Sequence, residues 1–341
     1  MKTKKKFLII GFGRFGKLSA SIFKKYFEVQ IFDNNITTEK IKAAKIIGVN
    51  LINPKELNNA DFIFLTVPIS RTEETIKNIS NKLKEGSLVM DACSVKTLPC
   101  KWLNKYLPKN VQILGTHPMF GPNTSHYNLE KQSWDLKNMQ IVLCPQRVEP
   151  KTYKQIKDVF MDLGLKIIET TPSNHDKQNA RTLSFVHFLG RSLWDAGFRE
   201  QEIYTPGYKD ILRIFGHTTN DDWRLFFDMN KFNPYSTGVR ENFLKSCSKI
   251  ENRLLKNESK DDFDYLRRRI VKIDKNIFSL LKERFSIATK IGKIKKRKGI
   301  KVLDKSREKT IIDKAIKESK LSPSFIKKIY RTILNQSYKQ Q

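Results

Sequence analysis

The pattern of apolar and polar positions changes twice along the chain. Short apolar runs at residues 7–10, 29–32, 61–67, 87–90 and 111–114 have the length of buried parallel strands, and helical stretches alternate with them to about residue 170. From about residue 174 the pattern is wholly helical, and an amphipathic helix runs from residue 266 to about 297. We therefore predict an α/β, doubly wound domain at residues 1–170, an all-helical domain at 171–255 and a second all-helical domain at 260–341, with a polar linker at 256–262.

A glycine-rich turn follows the first predicted strand. Residues 11–16 read GFGRFG, a G-x-G-x-x-G that opens a helix, and Asp33 ends the next strand. Gly11 permits the tight turn, Gly13 lets amides approach a pyrophosphate, and Gly16 allows close helix–strand packing. This context favours a Rossmann domain over an ordinary βα turn, and it favours NAD because Asp33 repels a 2′-phosphate. The predicted cofactor-binding residues are Gly11, Phe12, Gly13, Arg14, Phe15, Gly16, Asp33 and Pro68.

Composition narrows the functional classes. Hydrophobic content of 39% and charged content of 29% are typical of soluble globular proteins, and no segment is long enough to span a membrane. The four cysteines show no metal-ligand pairing, and the N-terminal apolar run ends at Gly11, too short for a signal peptide. We expect free thiols, no metal and a cytoplasmic location. The net charge of +30 fits nucleic-acid binding or a lysine-rich surface with anionic substrates; since no nucleic-acid-binding pattern is present, we favour the second.

Candidate catalytic chemistry lies at the ends of two neighbouring predicted strands. Ser94 and Lys96 follow the strand at 87–90, and His117 follows the strand at 111–114. Open α/β sheets hold their ligands at the carboxyl ends of their strands. A histidine at such a position, beside a Ser-x-Lys, is a candidate general base.

The helical segment adds candidate substrate contacts. Ser184, His187 and Arg191 are spaced to lie near one another on one helical face. His187 either lines the active site or sits satisfied in a helix interface. Arg213 stands between leucine and isoleucine, and a charge in an apolar setting needs an anionic partner, either a structural carboxylate or a substrate.

The last segment is strongly basic. Residues 258–341 carry 25 lysines and arginines against 10 acidic residues, which is half of the net charge of +30. Arg284 interrupts an otherwise apolar seam, so we expect it to face an anion; the alternative is an arginine that snorkels to solvent or pairs with an acidic side chain. A nucleic-acid-binding or oligomerisation arm fits the same pattern. The apolar seam positions are Leu266, Ile270, Ile273, Ile277, Leu280, Ile287, Ile291 and Ile294.

Residues 6 to about 250 resemble the prephenate/arogenate dehydrogenases of tyrosine biosynthesis. The matching motifs are GFGRFG, DACSVK, GTHPMFGP, FVHFLGRSL and KDILRIF…DDW. The resemblance implies oxidative decarboxylation of a cyclohexadienol with NAD and without a metal. It implies that His117 draws off the hydroxyl proton and that Ser94 orients the imidazole. It further implies that Arg213 holds a substrate carboxylate and that His187 lies close to the substrate.

The segment from residue 258 resembles the all-helical, type II chorismate mutases. This implies a pericyclic rearrangement in which arginines grip a dianion and Lys295 and Gln341 donate to the breaking ether oxygen. Arg267 and Arg284 are 17 residues apart on one predicted helix, roughly 25 Å at the α-helical rise, so one site would need two chains. The matching residues are Arg267, Arg284, Lys295, Asp304, Arg307, Glu308, Ser337 and Gln341.

The two resemblances support each other, because prephenate is the product of one reaction and the substrate of the other. We therefore predict a bifunctional chorismate mutase/prephenate dehydrogenase that forms a homodimer and binds neither nucleic acid nor a membrane. Three alternatives stay open: arogenate as the oxidised substrate, a dehydrogenase with a non-catalytic helical arm, and a basic nucleic-acid-binding protein.

Overall fold

Among the described residues, ten strands lie in the N-terminal half of the chain. They are β1 Lys6–Ile10, β2 Glu28–Phe32, β3 Asn50–Leu51, β4 Phe62–Leu65, β5 Leu88–Asp91, β6 Gln112–Pro118, β7 His126–Asn128, β8 Ser133–Asp135, β9 Gln140–Arg147 and β10 Lys166–Glu169. The computed structural model describes residues 4–122, 124–128, 133–257, 263–300 and 305–339. The chain divides into two compact units, Met1–Lys249 and Ile250–Gln341.

Eight of these strands form one sheet in the order β10-β9-β6-β5-β4-β1-β2-β3, and β7 pairs with β8 separately. The six strands from β6 to β3 are parallel, whereas β9 joins β6 antiparallel and β10 runs parallel to β9. Antiparallel pairing with β9 extends β6 to Pro118, so His117 lies within the strand rather than after it. The two strands that run against the others are an addition to the predicted doubly wound arrangement.

Helices cover both faces of this sheet. They are α1 Arg14–Phe23, α2 Thr38–Ile47, α3 Ile69–Ile79, α4 Thr97–Tyr106 and α5 Pro150–Asp162, with 3-10 turns at Pro54–Asn59 and Ser80–Lys82. Phe7 and Ile9 of β1 pack in the cluster that holds α1 and α5, while Leu8 and Ile10 pack in the cluster that holds α3 and α4. Because successive side chains of a strand point to opposite faces, a strand covered on both sides must be apolar throughout. The predicted α/β doubly wound fold is confirmed.

The remainder of the first unit is helical, as predicted. It contains α6 Pro172–Asn179, a π-helical turn at Ala180–Ser184, α7 Phe185–Asp195, α8 Pro206–Thr219, α9 Trp223–Lys231 and α10 Ser236–Asn257, the last of which continues into the second unit. A Cβ on Gly190 would lie 2.1 Å from Thr218 Oγ1, so α7 and α8 can approach this closely only at a glycine. Residues 256 and 257 of the predicted linker end α10, and the rest of that linker lies outside the described residues.

The described residues of the second unit form three further helices, α11 Phe263–Arg297, α12 Lys305–Ser319 and α13 Pro323–Lys339. The predicted amphipathic helix is confirmed as α11, which is 35 residues long. Its apolar seam positions, the eight named from sequence, are between 40% and 65% exposed. None of the described helices combines the length and the apolar character that a membrane crossing needs.

Candidate active sites

The turn between β1 and α1 has the geometry of a dinucleotide-phosphate cradle. Gly11 has φ +100°, a left-handed conformation that side chains disfavour, and a Cβ on Gly16 would lie 2.1 Å from Gly11 O. A Cβ on Gly13 would meet nothing within 4 Å, so the approach to the backbone is open there. The first turn of α1 contains no acidic residue, so no negative side chain of that turn repels an anion at the start of the helix. The turn therefore fits a pyrophosphate.

Asp33 lies directly beside this turn. Its carboxylate accepts hydrogen bonds from Phe12 N at 2.6 Å and Asn35 N at 2.8 Å, and pairs with Lys40 Nζ at 2.8 Å. Burial alone would raise the pKa of Asp33, but Lys40 and the two amides outweigh it and lower the pKa below its usual value. Asp33 is therefore ionised at neutral pH, with a counter-charge that the sequence did not indicate.

The other predicted cofactor residues take different positions around the turn. The Phe12 side chain is fully buried in the core, so only its backbone remains for a ligand. Phe15 packs against Phe64 and Phe120, with ring centroids 6.3 and 6.4 Å apart. Pro68 is the N-cap of α3, and the preceding β4 end contacts the turn through Thr66 Oγ1, which donates to Gly11 O at 2.6 Å.

A buried ion pair joins the ends of β5 and β6. The Lys96 ammonium contacts the Asp91 carboxylate and donates to the carbonyl oxygen of Thr116, and both charged side chains are fully buried. Burial alone would lower the pKa of Lys96, but the charge of Asp91 outweighs it and raises the pKa. Lys96, noted in the Ser-x-Lys motif, therefore holds the loop after β5 against the residue that precedes His117.

His117 is the first of three side chains joined by hydrogen bonds, followed by His175 and Asp176. Its Nδ1 lies 2.9 Å from His175 Nε2, and His175 Nδ1 lies 2.8 Å from Asp176 Oδ1. Asp176 also accepts from the backbone amides of Lys96 at 2.7 Å and Thr97 at 2.9 Å, at the start of α4. All three side chains of this chain are at most 5% exposed. His117 is thus tied to α6, not to the loop that carries Ser94.

The expected hydrogen bond between Ser94 and His117 is absent. The Ser94 hydroxyl is buried and has no hydrogen-bond partner among the described residues, while its carbonyl accepts from Asn179 Nδ2. Asp176 accepts from the amide of Lys96 at the start of α4, and the adjacent His175, rather than Ser94, contacts the His117 imidazole. Ser94 keeps a hydroxyl that is available to a ligand.

The pKa values in this chain of groups follow from burial. Burial lowers the pKa of His117 well below its usual value, and the charges of His175 and Lys96 lower it further. Burial also lowers the pKa of His175, although its hydrogen bond to Asp176 opposes this. For Asp176 burial alone would raise the pKa, but hydrogen bonds from His175, Thr97 and Lys96 leave it below the usual value. Both imidazoles are therefore neutral at pH 7 and the carboxyl group is ionised.

The π-helical turn leads into the second candidate group. His187 is buried, with Nε2 3.7 Å from Asp221 Oδ2, and its Nδ1 has no hydrogen-bond partner among the described residues. One turn further, Arg191 donates to Asp221 O at 2.6 Å, and its guanidinium lies 4.1 Å from the Trp223 ring centroid. Ser184 donates to Met229 O instead. Short π-helical insertions are common at functional sites, and this one precedes a buried His–Arg pair.

The setting of Arg213 is exposed rather than apolar, but its anionic partner is a structural carboxylate, one of the two predicted alternatives. Its side chain is 71% exposed and pairs with Asp210 at 3.2 Å, one helical turn earlier. Neighbours in sequence on a helix point in different directions, so apolar residues on either side do not surround an arginine. Arg191 is the arginine of this segment with the buried, aromatic setting.

The second unit brings part of the predicted mutase residues together. Arg284 of α11 donates to Ser337 Oγ of α13 at 2.6 Å, and Tyr338 donates to the Glu308 carboxylate. The Arg267 guanidinium is 4.2 Å from the Phe263 ring centroid and stays exposed. Lys295 is half-buried and Arg307 is exposed. Asp304 and Gln341 lie outside the described residues.

Two functional candidates were missed from sequence. His175 and Asp176 were not selected, although an adjacent His-Asp pair after Thr171-Pro172, a typical helix start, was a usable signal. Their partner His117 is 58 residues away along the chain, so no local pattern connects them.

Family models match most of the chain. Residues 18–169 match "Prephenate dehydrogenase, nucleotide-binding domain", residues 266–341 match "Chorismate mutase type II", and residues 193–264 match "TYRAAT1-like, C-terminal domain". The chain joins a prephenate dehydrogenase nucleotide-binding domain to a type II chorismate mutase domain. We refer below to the first unit as the dehydrogenase unit and to the second as the mutase unit.

Curated relatives carry related names. A probable arogenate/prephenate dehydrogenase of Methanocaldococcus jannaschii is 25% identical over 80% of this chain and 65% of its own length. Arogenate dehydrogenase 2 of Arabidopsis thaliana is 29% identical over 67% of this chain and 64% of its own length. The chain thus spans just under two thirds of these relatives. The T-protein of Haemophilus influenzae is 33% identical over 39% of this chain and 32% of its own length.

Solved structures agree in fold. Prephenate dehydrogenase from Aquifex aeolicus, in a crystal structure with hydroxyphenyl propionate and NAD+, superposes with a TM-score of 0.60 at 22% identity. The alignment covers 80% of this chain and 98% of that one. At this identity the match supports the fold of the dehydrogenase unit.

Proposed function

We propose that this chain is a bifunctional enzyme of tyrosine biosynthesis. The mutase unit rearranges chorismate to prephenate, and the dehydrogenase unit oxidatively decarboxylates prephenate to 4-hydroxyphenylpyruvate with NAD+. The observation that carries the proposal is the presence in one chain of a type II chorismate mutase domain and a prephenate dehydrogenase nucleotide-binding domain. We further propose a cytoplasmic location and the finer division into domains at residues 1–170, 171–255 and 260–341.

His117 is the proposed general base. The backbone of residues 11–16 and the Asp33 carboxylate would hold NAD+, which would supply the acceptor for the hydride on the ring carbon that carries the hydroxyl group. His117 Nε2 accepts the hydroxyl proton and returns it to the same oxygen when carbon dioxide leaves and the ring becomes aromatic, so the proton balances. A base must be neutral before it accepts a proton, and burial lowers the pKa of His117 well below neutral pH. The unpartnered Ser94 hydroxyl is proposed to bind the substrate or His117 when the substrate is present.

The proposed cofactor is NAD rather than NADP. Asp33 is ionised and lies beside Phe12 N, where an acid accepts hydrogen bonds from ribose hydroxyls and repels a 2′-phosphate. Lys40, 2.8 Å from Asp33, partly offsets that charge, so we expect the discrimination to be moderate. The proposed cofactor contacts are the backbone of residues 11–16, the Asp33 carboxylate and Pro68.

The proposed carboxylate grip in the dehydrogenase unit is Arg191. It is buried, its Nε has no hydrogen-bond partner among the described residues, and it lies next to His187 on α7. A guanidinium with unused donors in an apolar setting favours a carboxylate partner. Arg213 keeps a role only if another surface covers it, because it is exposed and already paired with Asp210.

The mutase site is proposed to need two copies of the chain. Arg267 and Arg284 both lie on α11, roughly 25 Å apart at 1.5 Å per residue, and chorismate cannot contact both from one helix. The half-exposed seam of α11 supports a second copy as the partner. Each site would combine Arg284, Lys295, Arg307, Glu308 and Ser337 with Arg267 of the other copy. Asp304 and Gln341 belong to the same proposal from the resemblance.

A single comparison tests the proposal. Purified protein is supplied with NAD+ and either chorismate, prephenate or arogenate, and NADH formation is followed by the absorbance of the reduced cofactor. NADH from chorismate and prephenate, with little from arogenate, is the expected result. A rate that is higher with arogenate would favour the second candidate, which the names of the Arabidopsis relatives support.

A parallel assay follows chorismate consumption without NAD+. If chorismate is not consumed while supplied prephenate is oxidised, the mutase unit is a non-catalytic helical arm.

A further inference from the structure

Asp176 and His175 stand behind the proposed base in a single line of hydrogen bonds. The distances are 2.8 Å from Asp176 Oδ1 to His175 Nδ1 and 2.9 Å from His175 Nε2 to His117 Nδ1. The two imidazole planes are 70° apart, so they meet edge to face rather than stacked. We propose that Asp176 and His175 are positioning residues that fix His117 in the tautomer with a proton on Nδ1 and a lone pair on Nε2.

The tautomer follows from the carboxylate. An ionised Asp176 can only accept, so His175 Nδ1 must carry the proton that faces it. A neutral His175 then presents a lone pair on Nε2 to its neighbour. His117 Nδ1 must donate to that lone pair, and its own Nε2 is left as an acceptor. The line of bonds therefore selects the form of His117 that can take a hydroxyl proton.

Several elements hold Asp176 in place. Its two carboxylate oxygens accept from the backbone amides of Lys96 and Thr97, and its carbonyl accepts from Asn233 Nδ2 at 2.9 Å. Asn233 is itself buried. The charged groups packed around the two histidines are Asp176 and the Lys96–Asp91 pair. The carboxylate thus caps α4 and orients the histidine pair at the same time.

A protonated His175 would reverse the outcome. Both of its nitrogens would then donate, His117 Nδ1 would have to accept, and His117 Nε2 would carry the proton that blocks it as a base. Burial lowers the pKa of His175, which keeps this form rare at neutral pH. In Asp176→Asn the amide nitrogen that replaces Oδ1 donates to His175 Nδ1, so His175 carries its proton on Nε2 and donates it to His117 Nδ1, with the same effect. In the serine-protease triad, an asparagine in place of the orienting aspartate likewise produces the wrong tautomer with unchanged geometry.

The direct test reads the tautomer by NMR. The chain has five histidines, so histidine-selective 15N labelling gives few signals, and the His117→Asn variant identifies those of His117. Two-bond 1H–15N correlations distinguish a protonated nitrogen from one with a lone pair. In the wild-type protein at pH 7 we expect Nδ1 of His117 to be protonated and Nε2 not. In Asp176→Asn we expect the reverse, and an unchanged tautomer would overturn the proposal.

A matched pair of variants tests His175 itself. The amide of His175→Gln reaches the former Nε2 position and can accept from His117 Nδ1, whereas the shorter amide of His175→Asn reaches only the former Nδ1 position beside Asp176. We expect His175→Gln to keep the His117 tautomer and most of the dehydrogenase kcat. We expect His175→Asn to lose the tautomer preference and at least about 100-fold in kcat, the lower limit for a general base. Equal kcat values for the two variants, at equal thermal stability, would indicate a merely structural role.

The kinetic part rests on the proposed dehydrogenase function, but the NMR part does not. If the wild-type enzyme oxidised neither prephenate nor arogenate, the proposed function would fail, while the tautomers would still test the positioning role of Asp176 and His175. If wild-type turnover were normal and Asp176→Asn kept the wild-type tautomer, only the positioning role of Asp176 and His175 would be contradicted. Should Asp176→Asn not fold, because it also caps α4, the tautomers and kcat values of the His175 pair still decide the outcome.

Discussion

The sheet of the dehydrogenase unit and helix α11 of the mutase unit bury their apolar residues in opposite ways. Phe7, Leu8 and Ile9 of β1 are fully buried between helices of the same chain, whereas every seam position of α11 is at least 40% exposed. A sheet covered on both faces closes its own core, but one long helix that packs against α13 leaves a side open. Covering eight half-exposed aliphatic side chains would contribute roughly 1 kcal/mol each.

The polar residues of the two regions differ in the same way. In the dehydrogenase unit the chain supplies its own partners, such as Asp91 for Lys96 and Asp176 for His175. In the mutase unit Arg284 contacts Ser337, but Arg267 stays exposed beside Phe263. The buried charges of the dehydrogenase unit are thus paired within one chain, whereas our proposed mutase site requires a second copy.

The largest expected effect is on His117. His117→Asn keeps an amide at the Nδ1 position, which can still donate to His175, and removes only the Nε2 lone pair. We expect dehydrogenase kcat to fall by about 10²–10⁴-fold, with NAD+ affinity and chorismate turnover nearly unchanged. The measurement is NADH formation from prephenate beside chorismate consumption. A near-normal dehydrogenase rate would remove His117 from the mechanism.

Complementation tests the two-copy mutase site. Arg267→Ala and Arg284→Ala should each lose mutase activity by about 100-fold or more, because a charge-assisted grip on the dianion is removed. Mixed chains should recover about a quarter of the wild-type rate, since half of random dimers are hybrids with one intact site of two. Mass spectrometry of the mixture would verify that subunits exchange. Confirmed exchange without recovery would contradict a shared site, and each variant alone serves as the baseline.

The pH dependence distinguishes the two centres further. Burial lowers the pKa of His117 and of His175, and the neutral forms are the working ones. Dehydrogenase kcat/KM should therefore be level above about pH 6.5 and fall about tenfold per unit only at pH values below the lowered pKa. The charges nearby are Lys96, Asp91 and Asp176. The pericyclic mutase reaction transfers no proton, so its rate should not show this fall at low pH. A fall in dehydrogenase kcat/KM centred above pH 6.5 would contradict buried, neutral His117 and His175.

Arg191 and Arg213 form a matched pair for substrate binding. Arg191→Gln should raise the KM for prephenate about tenfold, the effect of losing roughly 1.5 kcal/mol of charged hydrogen bonding. Arg213→Gln removes an exposed side chain that pairs only with Asp210 among the described residues, and should change KM little. Steady-state kinetics at saturating NAD+ compares them. A larger effect at Arg213 would show that another surface covers it in the working enzyme.

The smallest expected effect concerns cofactor choice. Asp33→Ala should reduce the preference for NAD over NADP by no more than about fivefold, because Lys40 already offsets part of the charge. Lys40→Gln should shift the preference the other way. Affinities for both cofactors follow from quenching of protein fluorescence. A wild-type enzyme that prefers NADP would contradict the cofactor proposal.

The turn at residues 11–16 and helix α11 show what local sequence predicts well. Glycine spacing after an apolar run reports a backbone that only glycine permits, as the contacts at Gly11 and Gly16 show. The apolar residues of the α11 seam recur every three or four positions, and this spacing alone predicts the helix. Arg213 shows the limit, because its apolar neighbours in sequence point elsewhere and its exposure depends on how α8 packs. Among the described residues Ser94 makes no hydrogen bond to His117, because His175 of α6, 58 residues further along the chain, lies at His117 Nδ1.

The sequence by itself determined five strands of the central sheet, the change to an all-helical pattern, the dinucleotide turn, the candidate base and the family resemblance of both units. These depend on residues within one element or one turn, where spacing along the chain equals spacing in the molecule. Tertiary structure decided the rest. It brought α6 to the end of β6, so that Asp176 and His175 stand behind His117, and it buried Arg191 instead of Arg213. Contacts between residues far apart in the chain are selected by the packing of whole elements, and no local pattern of side chains carries that information.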